Sequence, residues 1–112
     1  MANTFKLVNN AVMSTVAGTS DALYTVPSST TTIILGLTLC NVHTAQVSAT
    51  VEIVDTSAGI TSTVIKDAPI PVGGSLEIMS GNKIVVETTD VVKVSSSIAD
   101  KISATMSIME IT

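Results

Sequence analysis

A chain of 112 residues is enough for one domain, and with 46% hydrophobic residues and a mean hydropathy of +0.59 it holds ample apolar material for a core. Charged residues are only 12%, the net charge is −4, every basic residue but the single histidine is lysine, and aromatics are 2%, which leaves nothing to neutralise phosphates or stack on bases and so excludes nucleic acid as a partner. The same scarcity of Trp, Tyr and Arg counts against a sugar-stacking lectin face, and no run approaches the roughly twenty apolar residues of a membrane span.

Val, Ile and Thr make up roughly two-fifths of the chain, and these β-branched types fit a pleated, half-buried surface better than a helix. Phe5–Val8 and Val12–Ala17 read as a first strand or an extended arm, with Asn9-Asn10 as a turn. The opening residues carry neither a basic region nor an unbroken apolar stretch of the secretory type, so synthesis in the cytosol is expected. Gly18–Asp21 is a turn cluster, Leu23–Val26 a short strand stopped by Pro27, and Ser28–Thr32 a polar loop.

Ile33–Val42 is a near-continuous apolar run, which predicts a central strand buried on both faces. After a turn at Asn41–Ala45 the chain alternates, with Val47, Ala49, Val51 and Ile53 on one face and Ser48, Thr50 and Glu52 on the other. Asp55–Gly59 closes that strand, and Ile60–Lys66 is its expected hairpin partner.

Lys66–Asp90 concentrates two of the three prolines and three of the six glycines. Pro69 and Pro71 in alternate positions cannot sit in a central strand, so they mark an edge, and Gly73-Gly74 a corner where the chain changes layer. Ser75–Met79 then restarts the core through Leu76 and Ile78, Ser80–Lys83 reads as a tight turn, and Ile84–Glu87 and Val91–Ser97 are short strands. The last strand, Lys101–Ile111, turns Ile102, Ala104, Met106 and Ile108 inward, and places Met109 on the face opposite Met106. About eight short strands at intervals of roughly 8–12 residues, with no helical pattern, predict an all-β fold, an antiparallel β-sandwich or jelly roll.

Residues that carry chemistry are few. Cys40 is the only cysteine, so there is no disulfide framework and no cysteine metal site; it reads as a small buried hydrophobe. His43 lies three residues on, where strand geometry turns it to the opposite face, against a nucleophile pair. Asp55, Asp67, Glu77, Glu87 and Asp90 are spread singly, without a calcium-loop pattern. Gly73-Gly74 has no following helix pattern and no Gly-Lys-Ser or Gly-Lys-Thr, and no serine stands in a nucleophile elbow. The expectation is a protein that is not an enzyme, with no cofactor and no metal. So few charges on so apolar a domain imply instead that part of the surface is covered by other subunits.

Several segments in order, Leu23-Tyr24-Thr25-Val26-Pro27, Cys40-Asn41-Val42, Ala68-Pro69-Ile70-Pro71 with Gly73-Gly74-Ser75-Leu76-Glu77, Gly81-Asn82-Lys83-Ile84, Thr89-Asp90-Val91-Val92-Lys93-Val94 and Ile108-Met109-Glu110-Ile111, resemble small β-sandwich virion structural proteins of tailed bacteriophages, particularly those infecting marine cyanobacteria. The resemblance spans about nine-tenths of the chain. It implies a capsid decoration (cement) protein across joints between major capsid subunits, on the capsid exterior, or else a neck, tail or fibre-attachment protein; an adhesive module is the alternative outside this class. Synthesis would be in the host cytoplasm. The partners it implies are other virion proteins, the major capsid protein foremost, and further copies of the chain, as a trimer about a local symmetry axis. Residues 1–17 form an N-terminal arm or edge strand and 18–112 the sandwich domain, with Phe5, Leu7, Val8 and Met109 as the candidate subunit contacts.

Overall fold

A computed structural model describes residues 2–79 and 82–112. Among these residues the chain forms strands and no helix: β1 (Asn3–Met13), β2 (Asp21–Thr25), β3 (Thr31–Asn41), β4 (Val47–Asp55), β5 (Ile60–Ile70), β6 (Ser75–Glu77), β7 (Ile84–Val86), β8 (Val91–Ser96) and β9 (Ile102–Ile111). All pairings are antiparallel. One sheet runs β1-β9-β3-β6, with β7 also on β3; the other runs β2-β8-β4-β5. The two short strands β6 and β7 share one edge position along β3, so the order is that of a jelly roll, and the expected sandwich is the observed one.

Inward residues of both sheets make one core. In β9, Ile102, Ala104, Met106 and Ile108 are fully buried, and in β8 Val92 and Val94 are, as the period of two requires. Val47, Ala49 and Val51 of β4, the neighbour of β8 in the four-stranded sheet, are buried with them. Each large side chain taken out of water this way contributes about 1.5–3 kcal/mol before conformational entropy is subtracted.

β1 is the edge strand of its own sheet. Three expectations are corrected. Asn9 and Asn10 do not turn the chain; they continue β1 opposite Thr105 and Ala104, because the backbone bonds of a long strand outweigh the turn preference of two asparagines. The apolar run of β3 is not buried on both faces: Thr32, Ile34, Leu37, Leu39 and Asn41 are buried, whereas Ile33, Leu35 and Cys40 are half-buried, with a register break between Ile34 and Gly36. Finally, β3 begins at Thr31 and β5 continues to Ile70, so Pro69 lies inside a paired strand, opposite Ser48. That strand is nevertheless an edge, where a missing N–H costs no ladder bond.

The corner works as anticipated. The chain leaves β5 in one sheet and enters β6 in the other across Pro71–Gly74, with Gly73 at a φ of +71°. A Cβ on Gly74 would lie 2.9 Å from the Pro71 ring, so the two glycines are needed for different reasons. Within the turn expected at Ser80–Lys83, Ser80 and Gly81 lie outside the described residues; across it Asn82 N–H donates to the Met79 carbonyl at 2.7 Å.

A candidate assembly surface

Strand register assembles a row of apolar side chains on the outer face of the five-stranded sheet. Phe5 of β1 lies opposite Met109 of β9, Met109 opposite Ile33 of β3, and Ile33 opposite Val85 of β7. At the usual interstrand spacing the row spans about 14 Å. Phe5 is 72% exposed and Val85 61%, while Met109 and Ile33 between them are half-buried. Leu7, 64% exposed, extends the patch along β1. Three of the four expected contact residues, Phe5, Leu7 and Met109, therefore share one face. Val8 is on the other side of β1, opposite the buried Met106, and packs against the core.

Sequence reading missed Ile33 and Val85. Ile33 was hidden in a uniformly apolar run, and only the register of β7 on β3 places Val85 beside it. Cys40 is likewise not a core residue; it lies half-buried on this outer face, opposite Ser103. His43 is in the loop after β3, where its backbone N–H donates to Asn41 Oδ1 at 2.7 Å.

Two polar ties hold the sheets back to back, one at each end of β3. At the Thr32 end, the Tyr24 hydroxyl of β2 donates to Glu110 Oε2 at 2.5 Å, and the Thr32 hydroxyl lies 2.8 Å from the Tyr24 oxygen. Lys6 Nζ reaches Glu110 Oε1 at 2.8 Å from the neighbouring strand. The Lys6 and Tyr24 bonds hold the Glu110 carboxyl below the usual carboxylate range, against the opposing effect of burial. Burial, then the bond to Glu110, pushes the Tyr24 hydroxyl up to about 12.

At the other end, the buried Asn41 amide donates to the carbonyls of Ala45, Ile70 and Pro71 at 2.9, 2.9 and 3.2 Å. Its side chain so fastens the end of β3 to the corner that leaves β5. Glu77, on the outer face, sews short β6 to β3: Thr38 Oγ1 donates to it at 2.6 Å and Leu37 N–H at 3.3 Å, where β3 recovers from its register break. The Thr38 bond, with the backbone N–H bonds of Leu37 and Met79, lowers the Glu77 pKa, and burial opposes them.

The outer face of the four-stranded sheet has another chemistry. A shallow groove of about 360 Å³ is lined by Ser48, Thr50, Glu52, Lys66, Ser95 and neighbouring hydroxyl residues. Among the described residues no group of three or more His, Cys, Asp or Glu side chains comes together as a metal site would require, and no buried side-chain N or O atom lacks a hydrogen-bond partner.

No protein-family model matches the sequence, and no curated protein matches it. Solved structures do share the fold. A protein of Bacillus endospore appendages, described as a family of disulfide-linked pili, superposes with a TM-score of 0.52 at 18% identity, over 99% of this chain and 87% of that one. The T13 particle of infectious bursal disease virus contains a chain that superposes with a TM-score of 0.55 at 12% identity, over 96% of this chain and 30% of that one. The Gx strain of the same virus gives 0.53 at 15%, over 97% and 32%. This chain thus spans about a third of those viral chains and nearly the whole of the appendage protein. At such identities the likeness is one of fold: a β-sandwich of the kind found in structural proteins of viral particles and pili.

Proposed function

We propose that the chain is a non-catalytic structural protein of a phage virion, acting as a decoration (cement) protein on the exterior of the assembled head. The observation that carries this reading is the row Phe5–Met109–Ile33–Val85, apolar throughout and exposed at both ends, a ready contact surface on the sandwich. The phage resemblance of the sequence and the fold shared with viral-particle chains support it. A protein that binds the assembled lattice but not free subunits opposes disassembly by its own binding free energy. Function then needs a stable fold and an apolar face, and no reactive group.

Immunogold labelling of purified particles that carry this chain tests the reading. Labels distributed over the head, with a fixed copy number per hexamer by quantitative gel analysis, are expected. Labels confined to neck, tail or fibre would overturn the cement role in favour of attachment within the same virion class. A second reading, a filament subunit, is favoured by the near-complete span of the appendage protein. A disulfide-linked filament is nonetheless chemically out of reach, because one cysteine per chain links two subunits and no more. Electron microscopy of the concentrated chain, with filaments as the outcome, would favour a non-covalent version of that reading.

A further inference from the structure

Among the described residues the sandwich has four free backbone edges: β1 and the shared β6/β7 position bound one sheet, and β2 and β5 the other. Three are poor templates for pairing. β5 carries Pro69 and breaks its register beside Asp67, whose φ is +49°. β2 has five residues and an irregularity between Ala22 and Tyr24. β6 and β7 have three residues each. β1 has eleven residues, no proline, and unbroken register with β9 from Asn3 to Asn10.

The ladder tells which groups of β1 are free. Ala2 and Thr112 exchange two backbone bonds, at 3.1 and 2.9 Å. Bonded and non-bonded pairs alternate in an antiparallel ladder, so Thr4, Lys6 and Val8 direct their N–H and C=O toward β9. Asn3, Phe5, Leu7 and Asn9 direct theirs to the open edge, and the same four place their side chains on the outer face.

We propose that this edge pairs antiparallel with the same edge of a second copy, about a two-fold axis at Leu7. Leu7 then opposes its counterpart, Phe5 opposes Asn9, and Lys6 opposes Val8 on the inner side. About six backbone hydrogen bonds form from Phe5, Leu7 and Asn9 of the two copies. Other centres fit less well. One at Lys6 sets two lysines face to face, one at Phe5 shortens the paired stretch, and one at Asn9 runs into the register break after Asn10. A head-to-tail pairing would need a blunted edge as its other half, so a second copy meeting edge to like edge is the occupant the geometry selects. The result is one sheet continued across two subunits, with Phe5 and Leu7 of both copies in one apolar strip. This replaces the three-fold closure expected from the sequence, and it does not depend on where in a particle the chain sits.

Light scattering on the purified chain reads the mass directly: a species of about 23 kDa is expected, twice the 11.5 kDa of the chain. Leu7→Pro removes an N–H that faces the edge while sparing the β9 ladder, and should weaken the dimer at least ~10-fold. In a Cys40→Ser background, Leu7→Cys should oxidise to a covalent dimer, since residues facing each other in a bonded pair stand about 5.5 Å apart, within disulfide reach. Phe5→Cys, which faces Asn9, should cross-link poorly. A monomer at 100 µM, a trimer, a dimer indifferent to Leu7→Pro, or cross-linking at position 5 in preference to 7 would each overturn the proposal. Should Leu7→Pro fail to fold, the cysteine pair decides alone.

Discussion

The two outer faces of this sandwich are built from strands of the same kind and carry opposite chemistry. On the four-stranded sheet, Thr50 lies opposite Ser95 and Glu52 opposite Lys93, a surface at ease in water. On the five-stranded sheet the corresponding cross-strand positions hold Phe5, Met109, Ile33 and Val85. Because both inner faces are apolar in either case, fold stability does not require this difference. Under the proposed function, this apolar row, exposed at Phe5 and Val85, is surface kept for a neighbour.

The comparison holds only if the two faces belong to one rigid body, and the largest expected effects test that. Asn41→Ala would remove the side-chain bonds to the Ala45, Ile70 and Pro71 carbonyls, of which Pro71 keeps the Gly74 N–H, and should cost about 2 kcal/mol in urea unfolding. If the loss is under 0.5 kcal/mol, the corner is not held by this side chain. Glu110→Ala, which removes the partner of both Tyr24 and Lys6, should cost about 2 kcal/mol, discounted because Lys6 is half exposed.

The same tie predicts a pH profile with two limbs. Glu110 has a folded pKa below its unfolded one, so its contribution is present above the ordinary carboxylate range and lost as pH falls through the folded value. Tyr24 is raised from 10.0 to about 12, so its contribution is complete below pH 10 and disappears as pH rises toward 12. Urea titrations from pH 9 to 12 should show the stability difference between the native chain and Tyr24→Phe shrinking with pH; a constant difference would remove the hydroxyl from the tie.

Thr89, a β-branched residue at a φ of +70°, should be improved by glycine, with a gain of about 0.5–1 kcal/mol by thermal unfolding. The smallest stability change distinguishes the faces themselves. Phe5→Ser with Val85→Ser, and separately Thr50→Val with Ser95→Val, should each move stability by no more than about 0.5 kcal/mol. Binding of an apolar dye should fall in the first pair and rise in the second. Equal dye binding by the native chain and the first pair would mean that the apolar row is not a surface of the kind described.

Much of this was legible along the chain. The alternation of β4 and β9 identified their inward residues, and the prolines and paired glycines marked a real edge and a real change of layer. Misreadings came where local pattern is silent. Ile33–Val42 is apolar at nearly every position, so its two faces cannot be told apart until a partner strand covers one of them. Asn9-Asn10 has turn chemistry, yet the β9 ladder overrules it. Asn41 looked like the start of a turn, whereas its buried amide is the pin of the corner.

By itself the sequence determined that the chain is an all-β sandwich, because strand period and composition are properties of neighbouring residues. Only the tertiary structure decided that Phe5, Met109, Ile33 and Val85, up to 104 positions apart along the chain, stand in one row, and that Tyr24 meets Glu110 across the sheets. The physical reason is that register is a relation between strands. It is set by the burial of one face of every strand at once, and no single segment contains it.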